Sequence, residues 1–220
     1  MIRKSIPRLL KGSDVYSPFV LSVYDLFVLR FSNRYFWKCP TKELVSLYNR
    51  NISGEHLDIG VGTGYYLSKA NFPISKPQIT LVDLNKNSLR VASKRISHYY
   101  PTQVTANILE DLHLEEKYSS ASLCYLLHCL SGGIKIKAQV FDKVSRVVKN
   151  RGRVFGATIF AGKNEINLAA RALAKFYNNI GIFSNEDDSL EEISSEFNKR
   201  FIDSKFQSFG SVVLFEGTVR

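Results

Sequence analysis

The stretch that decides the fold is His56-Leu57-Asp58-Ile59-Gly60-Val61-Gly62-Thr63-Gly64-Tyr65-Tyr66-Leu67. Its apolar first half predicts the end of a β-strand, and its alternating glycines predict a sharp turn that opens into a helix. Because glycine has no Cβ, the backbone can turn tightly there and a ligand can lie directly against it. The stretch therefore predicts a nucleotide-type site in an α/β protein, and the alternative is an ordinary strand-to-helix turn.

The spacing of these glycines distinguishes two cofactors. A dinucleotide site uses Gly-x-Gly-x-x-Gly, and its third glycine would fall on Tyr65, which is bulky. The pattern present is Asp58-x-Gly60-x-Gly62-x-Gly64, which resembles motif I of the class I S-adenosylmethionine-dependent methyltransferases. This resemblance implies S-adenosylmethionine as the cofactor, with Asp58 and the three glycines at its amino-acid end.

The same resemblance implies the whole architecture. We expect an α/β, Rossmann-like class I methyltransferase fold with a seven-stranded, mostly parallel sheet, an antiparallel last strand, and helices on both faces. An N-terminal helical cap is expected to precede it. Dinucleotide dehydrogenases typically lack the antiparallel last strand, so this strand is a second feature that separates the two cofactor classes.

A carboxylate stands at the end of the next predicted strand, Gln78 to Asp83. One ionised carboxylate can accept hydrogen bonds from both ribose hydroxyls, so we expect Asp83 to bind the ribose and Leu84 to contact the cofactor beside it. NAD enzymes use the same device, so Asp83 alone does not identify the cofactor. Alternatively, Asp83 caps the helix predicted from Lys86 to about Tyr99.

The third predicted strand, near Thr102 to Ala106, leads into Asn107 and Ile108. The resemblance places the adenine contacts there, and members of the family usually carry an acidic residue where this chain has Asn107. An amide oxygen can accept the same hydrogen bond without charge assistance. Glu110 and Asp111 are the alternative acceptors.

The fourth strand is predicted from Ala121 to Leu127, and the run Leu127-His128-Cys129-Leu130 closes it. This run resembles the Leu-His-x-Leu of many small-molecule methyltransferases, and the chain looks closest to the ubiquinone/menaquinone-biosynthesis-like group. The resemblance implies that Cys124 and Tyr125 contact the methionine part of the cofactor.

His128 has two interpretations. An imidazole titrates near neutral pH, so His128 is a candidate general base that removes the proton of the methyl acceptor. Alternatively, it caps the following helix or lines the pocket.

The rest of the chain continues the α/β order. Periodicity and turn residues predict a helix from about Ile134 to Lys149, helices around Glu165 to Asn179 and Ser189 to Arg200, and strands from Phe201 to Phe209 and Ser211 to Thr218. The run from Asn150 to Phe160 resembles the family's turn before strand five. The last two strands are expected to form a hairpin around Gly210.

Two parts of the chain are expected: a tail with an aromatic helical cap over residues 1–50, and an S-adenosylmethionine-binding α/β domain over residues 51–220. Apolar residues of the cap recur at helical spacing, so most are expected to pack on the sheet. Tyr16 and Tyr24 resemble the lid of related enzymes and are candidate acceptor-site residues; for each of them, a place in the core is the alternative.

Composition is that of an ordinary globular protein, with 220 residues, 45% hydrophobic and 23% charged. No apolar run reaches the ~18 residues that a membrane span requires. Cys39, Cys124 and Cys129 lack the paired spacing of a zinc site, so no metal is expected. Three cysteines also give no disulfide framework, which favours a reducing compartment and a cytoplasmic location.

The net charge of +10 is concentrated in residues 1–50 and 135–153, whereas residues 186–196 are acidic. Clustered lysine and arginine residues can bind polyanions, although such charge is more often a solvated surface. The favoured function is therefore in-line methyl transfer from S-adenosylmethionine to a small-molecule acceptor. The alternative is a methyltransferase that engages RNA or protein through the basic surfaces; a binding protein without chemistry is disfavoured by the complete motif.

Overall fold

Seven strands form one sheet in the order β3-β2-β1-β4-β5-β7-β6. The computed structural model describes residues 36–110, 112–114, 117–160 and 168–220. The strands are β1 Glu55–Ile59, β2 Gln78–Asp83, β3 Thr102–Thr105, β4 Tyr118–Cys124, β5 Val148–Ile159, β6 Phe201–Phe209 and β7 Val212–Val219. Strands β1 to β5 pair in parallel, and β7 runs antiparallel to both β5 and β6. The predicted sheet, including its antiparallel last strand, is thereby confirmed.

Helices cover both faces of this sheet, as expected. They are α1 Thr41–Asn51, α2 Lys86–Arg95, α3 Ile134–Lys137, α4 Gln139–Val147, α5 Leu168–Asn179 and α6 Leu190–Asn198. Apolar side chains of α1, α2 and α5 share one buried cluster with β5, and those of α4 and α6 share another with β1 and β4. Burial of these two apolar layers is the main force that holds the helices on the sheet.

The terminal hairpin follows the prediction closely, since β6 has the predicted bounds and β7 is displaced by one residue. Gly210 lies between them with a φ of +55°, and a Cβ there would lie 2.3 Å from the carbonyl oxygen of Trp37. Only glycine fits this turn without displacing the backbone of the segment before α1.

Two predicted helices are wrong in extent. The glycine turn leads into a single 3-10 turn, Leu67–Lys69, instead of a full helix. Pro73 lies four residues beyond this turn; it has no amide hydrogen and disfavours the helical conformation at Phe72. Helix α2 ends at Arg95 and is followed by a 3-10 turn, so it does not continue to Tyr99.

The region around strands β4 and β5 also differs from the prediction. Strand β4 ends at Cys124 because Tyr125 has a φ of +59°, which a continuing strand cannot adopt. The helix expected from Ile134 to Lys149 is divided into α3 and α4. Its last two residues belong to β5, where Val148 pairs with Tyr118.

The division of the chain at residues 50 and 51 stays a prediction. Helix α1 spans that boundary and packs on the sheet through Leu44 and Leu47, which are fully buried. Residues 1–35 of the predicted tail and aromatic cap lie outside the described residues. Among the helices that the structure describes, none is long and apolar enough to cross a bilayer.

Candidate active site

The glycine turn lies where the carboxyl ends of β1, β2 and β4 meet. Gly60, Gly62 and Gly64 have φ values of +69°, +53° and +67°, a conformation that favours glycine. A Cβ on Gly60 would lie 2.9 Å from Leu126, and one on Gly64 would lie 2.9 Å from Ala92. A Cβ on Gly62 would meet nothing within 4 Å. Gly62 is therefore the member of the motif that faces open space, where a ligand can approach the backbone.

Asp83 lies directly beside this turn. Its Oδ2 accepts a hydrogen bond of 3.4 Å from the backbone N–H of Gly62, and its Oδ1 accepts one of 2.8 Å from that of Asn85. The cap of α2 is Asn85, whose side chain accepts from Asn87. The interpretation of Asp83 as a helix cap is therefore wrong, and its carboxylate is placed at the strand end as a ribose acceptor requires. Leu84 beside it is 41% exposed and free to contact a ligand.

Asp58 lies beneath the turn and is buried. The hydroxyl of Tyr48, from α1, donates to its Oδ2 at 3.3 Å. Burial raises the pKa of Asp58 to about 7, although hydrogen bonds from Ser122 and Tyr48 act in the opposite direction. The motif carboxyl is thus a buried group that titrates near neutral pH.

The expected adenine contacts are arranged as a local turn. The side-chain oxygen of Asn107 accepts from the backbone N–H of Leu109 at 3.0 Å, and its amide nitrogen donates to Glu110 at 3.2 Å. Ile108 is buried and Glu110 is exposed. Asp111 lies outside the described residues. The Asn107 side chain is therefore engaged within the turn, whereas Glu110 is exposed.

Cys124 and Tyr125 close the other side of the turn. Cys124 is the last residue of β4, and burial raises the pKa of its thiol well above the usual range. Tyr125 donates its backbone N–H to the carbonyl of Ala157 at 2.7 Å, and its ring lies 6.1 Å from that of Tyr66. Its left-handed backbone redirects the chain from the sheet toward His128.

His128 is 3% exposed, and its ring packs edge-on against Phe183 at 4.5 Å. Burial, together with the charge of Lys137, lowers the pKa of His128 to about 3. The backbone N–H of Ile159 donates to Nδ1 at 3.3 Å, so the neutral ring carries its proton on Nε2. A base needs a free lone pair and a pKa near the working pH. This geometry favours the interpretation of His128 as a residue that lines the pocket.

A buried ion pair lies beside His128 and was not predicted from the sequence. Lys137 is fully buried, and its Nζ donates to Asp188 and to the carbonyl of Ser184, both at 2.5 Å. Asn185 is also fully buried and donates to the carbonyl of Ile159 at 2.7 Å. These bonds fix the loop between α5 and α6, residues 180–189, against the end of β5. The opposite charges of the 135–153 and 186–196 segments were the sequence signal for this contact.

Tyr16 and Tyr24, the predicted lid residues, lie outside the described residues. Within the part of the chain that is described, no group of three or more His, Cys, Asp and Glu side chains is placed to hold a metal ion. The open face of Gly62 and the adjacent Asp83 carboxylate fit S-adenosylmethionine, because the first admits a ligand against the backbone and the second can accept from a ribose. Fold and site together define a class I methyltransferase.

Comparisons with known proteins agree with this class. A family model described as a methyltransferase domain matches residues 57–154. The chain is 36% identical over 206 residues to demethylluteothin O-methyltransferase of Streptomyces thioluteus, with 93% of this chain and 90% of that protein covered. It is 35% identical to the physcion biosynthesis cluster O-methyltransferase of Aspergillus chevalieri, with 94% of each covered. The chain therefore belongs to the methyltransferase family.

Solved structures show the same fold. The N-methyltransferase NodS from Bradyrhizobium japonicum, in complex with S-adenosylhomocysteine, has a TM-score of 0.60 at 13% identity, with 81% of this chain and 85% of that chain covered. Phosphoethanolamine N-methyltransferase 2 of Haemonchus contortus, in complex with S-adenosylmethionine, has a TM-score of 0.65 at 19% identity, with 89% and 45% covered. The chain therefore shares its fold with methyltransferases that were solved with S-adenosylhomocysteine or S-adenosylmethionine bound.

Proposed function

We propose that the protein transfers the methyl group of S-adenosylmethionine to a hydroxyl oxygen of a small organic acceptor, with S-adenosylhomocysteine as the leaving group and the hydroxyl proton lost to solvent. The observation that carries the proposal is similarity to two enzymes named as O-methyltransferases over 93% and 94% of the chain. Such similarity extends beyond residues 57–154 on both sides. It therefore includes the segments that would surround an acceptor as well as the cofactor site.

The surroundings of His128 are apolar and aromatic, which agrees with a small, apolar acceptor. Phe183 contacts His128 and also lies 4.9 Å from the ring of Tyr177 and 6.0 Å from that of Trp37. Phe183 and Trp37 are buried and belong to the apolar core. Tyr16 and Tyr24 are proposed as residues of the acceptor site.

The basic segment gives less support to a macromolecular acceptor than its charge suggested. Lys137, Lys149 and Arg153 in residues 135–153 pair with Asp188, Glu55 and Glu216. These pairs neutralise part of the positive charge that a polyanion would need. A small-molecule acceptor is therefore the better match to the described surface.

In the proposed mechanism, the chain binds and aligns the reactants. The cofactor supplies a methyl group already activated on a sulfonium. Asp58, the glycines, Cys124 and Tyr125 would hold its methionine part; Asp83 with Leu84 would hold the ribose, and Asn107 or Glu110 with Ile108 the adenine. Alignment alone can contribute ~7–11 kcal/mol, whereas a general base adds ~10²- to 10⁴-fold. The neutral, engaged His128 is therefore compatible with catalysis.

The test has two parts. The purified chain is first titrated with S-adenosylmethionine, S-adenosylhomocysteine and NAD, and we expect it to bind the first two. Transfer from methyl-labelled S-adenosylmethionine is then measured with matched phenol, aniline and thiophenol acceptors, with a hydroquinone and with total RNA. Label on the phenol supports the proposal, and label on the aniline alone contradicts oxygen transfer. Salt-sensitive labelling of RNA would overturn the small-molecule acceptor.

The hydroquinone arm addresses a finer prediction. The ubiquinone/menaquinone-biosynthesis-like subgroup predicts that this acceptor is methylated better than a simple phenol. A cytoplasmic location also stays a prediction, to be checked by fractionation of the native host cells.

A further inference from the structure

A layer of polar side chains is buried under α1, on the face of the sheet that carries Asp58. His56 and Asp58 alternate along β1, and they lie directly opposite Ser120 and Ser122 of β4. The four residues are between 0% and 3% exposed. Burial of polar groups costs free energy unless they are hydrogen-bonded, so their arrangement calls for an explanation.

Hydrogen bonds connect the members of this layer. The backbone N–H of Ser53 donates to Oγ of Ser120 at 2.9 Å, and Ser120 Oγ lies 2.8 Å from Nδ1 of His56. Nε2 of His56 lies 3.1 Å from Oγ of Ser122. Burial lowers the pKa of His56 to about 3, so the ring is neutral and carries one proton. With that proton on Nε2, His56 donates to Ser122 and leaves the Ser122 hydroxyl hydrogen for Asp58.

Tyr48 supplies the second hydroxyl that acts on Asp58. Its ring is 2% exposed and is held by Phe155, 5.1 Å away edge-on, and by Tyr66, stacked at 6.3 Å. The 3.3 Å bond from its hydroxyl to Asp58 therefore comes from a fixed side chain.

Asp58 has donors but no counter-charge among the described residues. The ionisable groups that act on it from neighbouring elements are Asp83 on β2, Cys124 on β4 and Tyr48 on α1, and His56 reaches it through Ser122. Ionised Asp83 opposes the ionisation of Asp58. Two neutral hydroxyls thus hold a carboxyl that lacks a cation, beneath a turn where a cationic ligand is expected.

We propose that Tyr48 is a positioning residue of the cofactor site, which together with Ser122 holds the Asp58 carboxylate for the positively charged amino group of S-adenosylmethionine. Binding of the cofactor then releases the proton of Asp58 to solvent. The inference rests on the proposed function only in placing the methionine part of the cofactor at the glycine turn.

The test uses Tyr48→Phe, which removes the hydroxyl and keeps the ring in its packing. Loss of a donor to the ionised form raises the pKa of Asp58, and a rise of about one unit predicts about eightfold weaker binding of S-adenosylhomocysteine at pH 6.5 and less than about twofold at pH 8.5. Comparison with the unchanged protein at each pH cancels the titration of the ligand itself. Ser122→Ala should show the same pH pattern and serves if Tyr48→Phe does not fold.

Tyr118→Phe is the matched control. Tyr118 is also a buried tyrosine, but its hydroxyl donates to Thr80 at 3.0 Å. We expect this variant to bind S-adenosylhomocysteine with unchanged affinity at both pH values. An equal loss of affinity by Tyr48→Phe at both pH values, or no loss at either, would overturn the proposal.

Proton release gives a second readout. Calorimetric titration with S-adenosylhomocysteine at pH 7, in buffers of different ionisation enthalpy, should show release of about half a proton by the unchanged protein, because the pKa of Asp58 is about 7. Asp58→Asn should abolish this release. Binding without proton release would contradict this inference alone, whereas no binding at any pH would contradict the proposed function.

Discussion

Gly62 differs from the glycines on either side of it in what a side chain would meet. Gly60 and Gly64 are required by packing, since a Cβ at either position would lie 2.9 Å from a neighbouring side chain. At Gly62 nothing lies within 4 Å, so the requirement for glycine there comes from the left-handed backbone and from the ligand. Substitution at Gly62 therefore separates binding from folding.

Gly62→Arg should abolish binding of S-adenosylmethionine and leave the chain folded. The new side chain would fill the open face of the turn, at a cost of ~1–2 kcal/mol for the left-handed conformation. Calorimetry measures the binding, and circular dichroism with urea unfolding measures the fold. Gly181→Arg is the control, because Gly181 has a φ of +77° and similarly open surroundings. Unchanged affinity in Gly62→Arg would mean that S-adenosylmethionine does not bind at this turn.

At the scale of elements, the short helix α3 is joined to the loop between α5 and α6 by one buried ion pair. Lys137 makes this link to Asp188, and the loop carries Phe183 to the ring of His128. Removing one partner of a buried pair leaves the other charge without compensation, which is more costly than removing both. Variants of Lys137 and Asp188, alone and together, therefore test whether this ion pair holds the loop beside His128.

Lys137→Met should destabilise the protein by ~3–5 kcal/mol, because Asp188 is left buried and unpaired. The double variant Lys137→Met/Asp188→Leu should recover most of this loss. Urea unfolding at pH 7 measures both. Lys135→Met on the same helix is the matched control, since Lys135 is exposed, and should change stability by less than ~0.5 kcal/mol. Equal stability of the unchanged and single-variant proteins would mean that the pair does not hold the loop.

Elements differ in how far the sequence could predict them. The β6–β7 hairpin was predictable to within one residue, because alternating apolar residues and Gly210 act locally. The helix predicted after Gly64 is wrong because Pro73 lies close downstream and disfavours a helical backbone before it. The predicted end of β4 at Leu127 is wrong because Tyr125 has a left-handed backbone. Tyrosine rarely adopts this conformation, so the residue type does not indicate it.

At the scale of the whole molecule, the edge of the sheet that carries the glycine turn was the more predictable part of the candidate site. Asp58 and Asp83 lie near the carboxyl ends of β1 and β2, the glycines follow β1, and parallel strands bring those ends to one edge. The contact of Tyr48 with Asp58 joins residues from different elements, and no local sequence pattern predicts it. The contact of Phe183 with His128 depends likewise on how a distant loop docks. Tertiary packing therefore decides the part of the site that local spacing leaves open.

The buried histidines connect this site to the stability of the whole fold. His56 and His128 have pKa values lowered to about 3 by burial, so the folded protein keeps both neutral where the unfolded chain takes up protons. Each one therefore contributes stability above pH ~6.5 that is lost progressively as the pH falls toward 3, at about 1.4 kcal/mol per pH unit. Buried carboxyls with raised pKa values change the stability in the opposite direction. The contribution of one histidine must therefore be measured as the difference in unfolding free energy between the unchanged protein and a variant that lacks that histidine.

His128→Asn isolates that contribution, because an asparagine oxygen can still accept from the Ile159 N–H without taking up a proton. The unfolding free energy of the unchanged protein minus that of the variant should fall by about 1.4 kcal/mol per unit as the pH is lowered from 6 to 4. Urea unfolding at several pH values measures it. Parallel curves for His128→Asn would mean that His128 takes up a proton in the fold. The general-base interpretation would then regain its physical basis, since the imidazole would titrate where catalysis needs it.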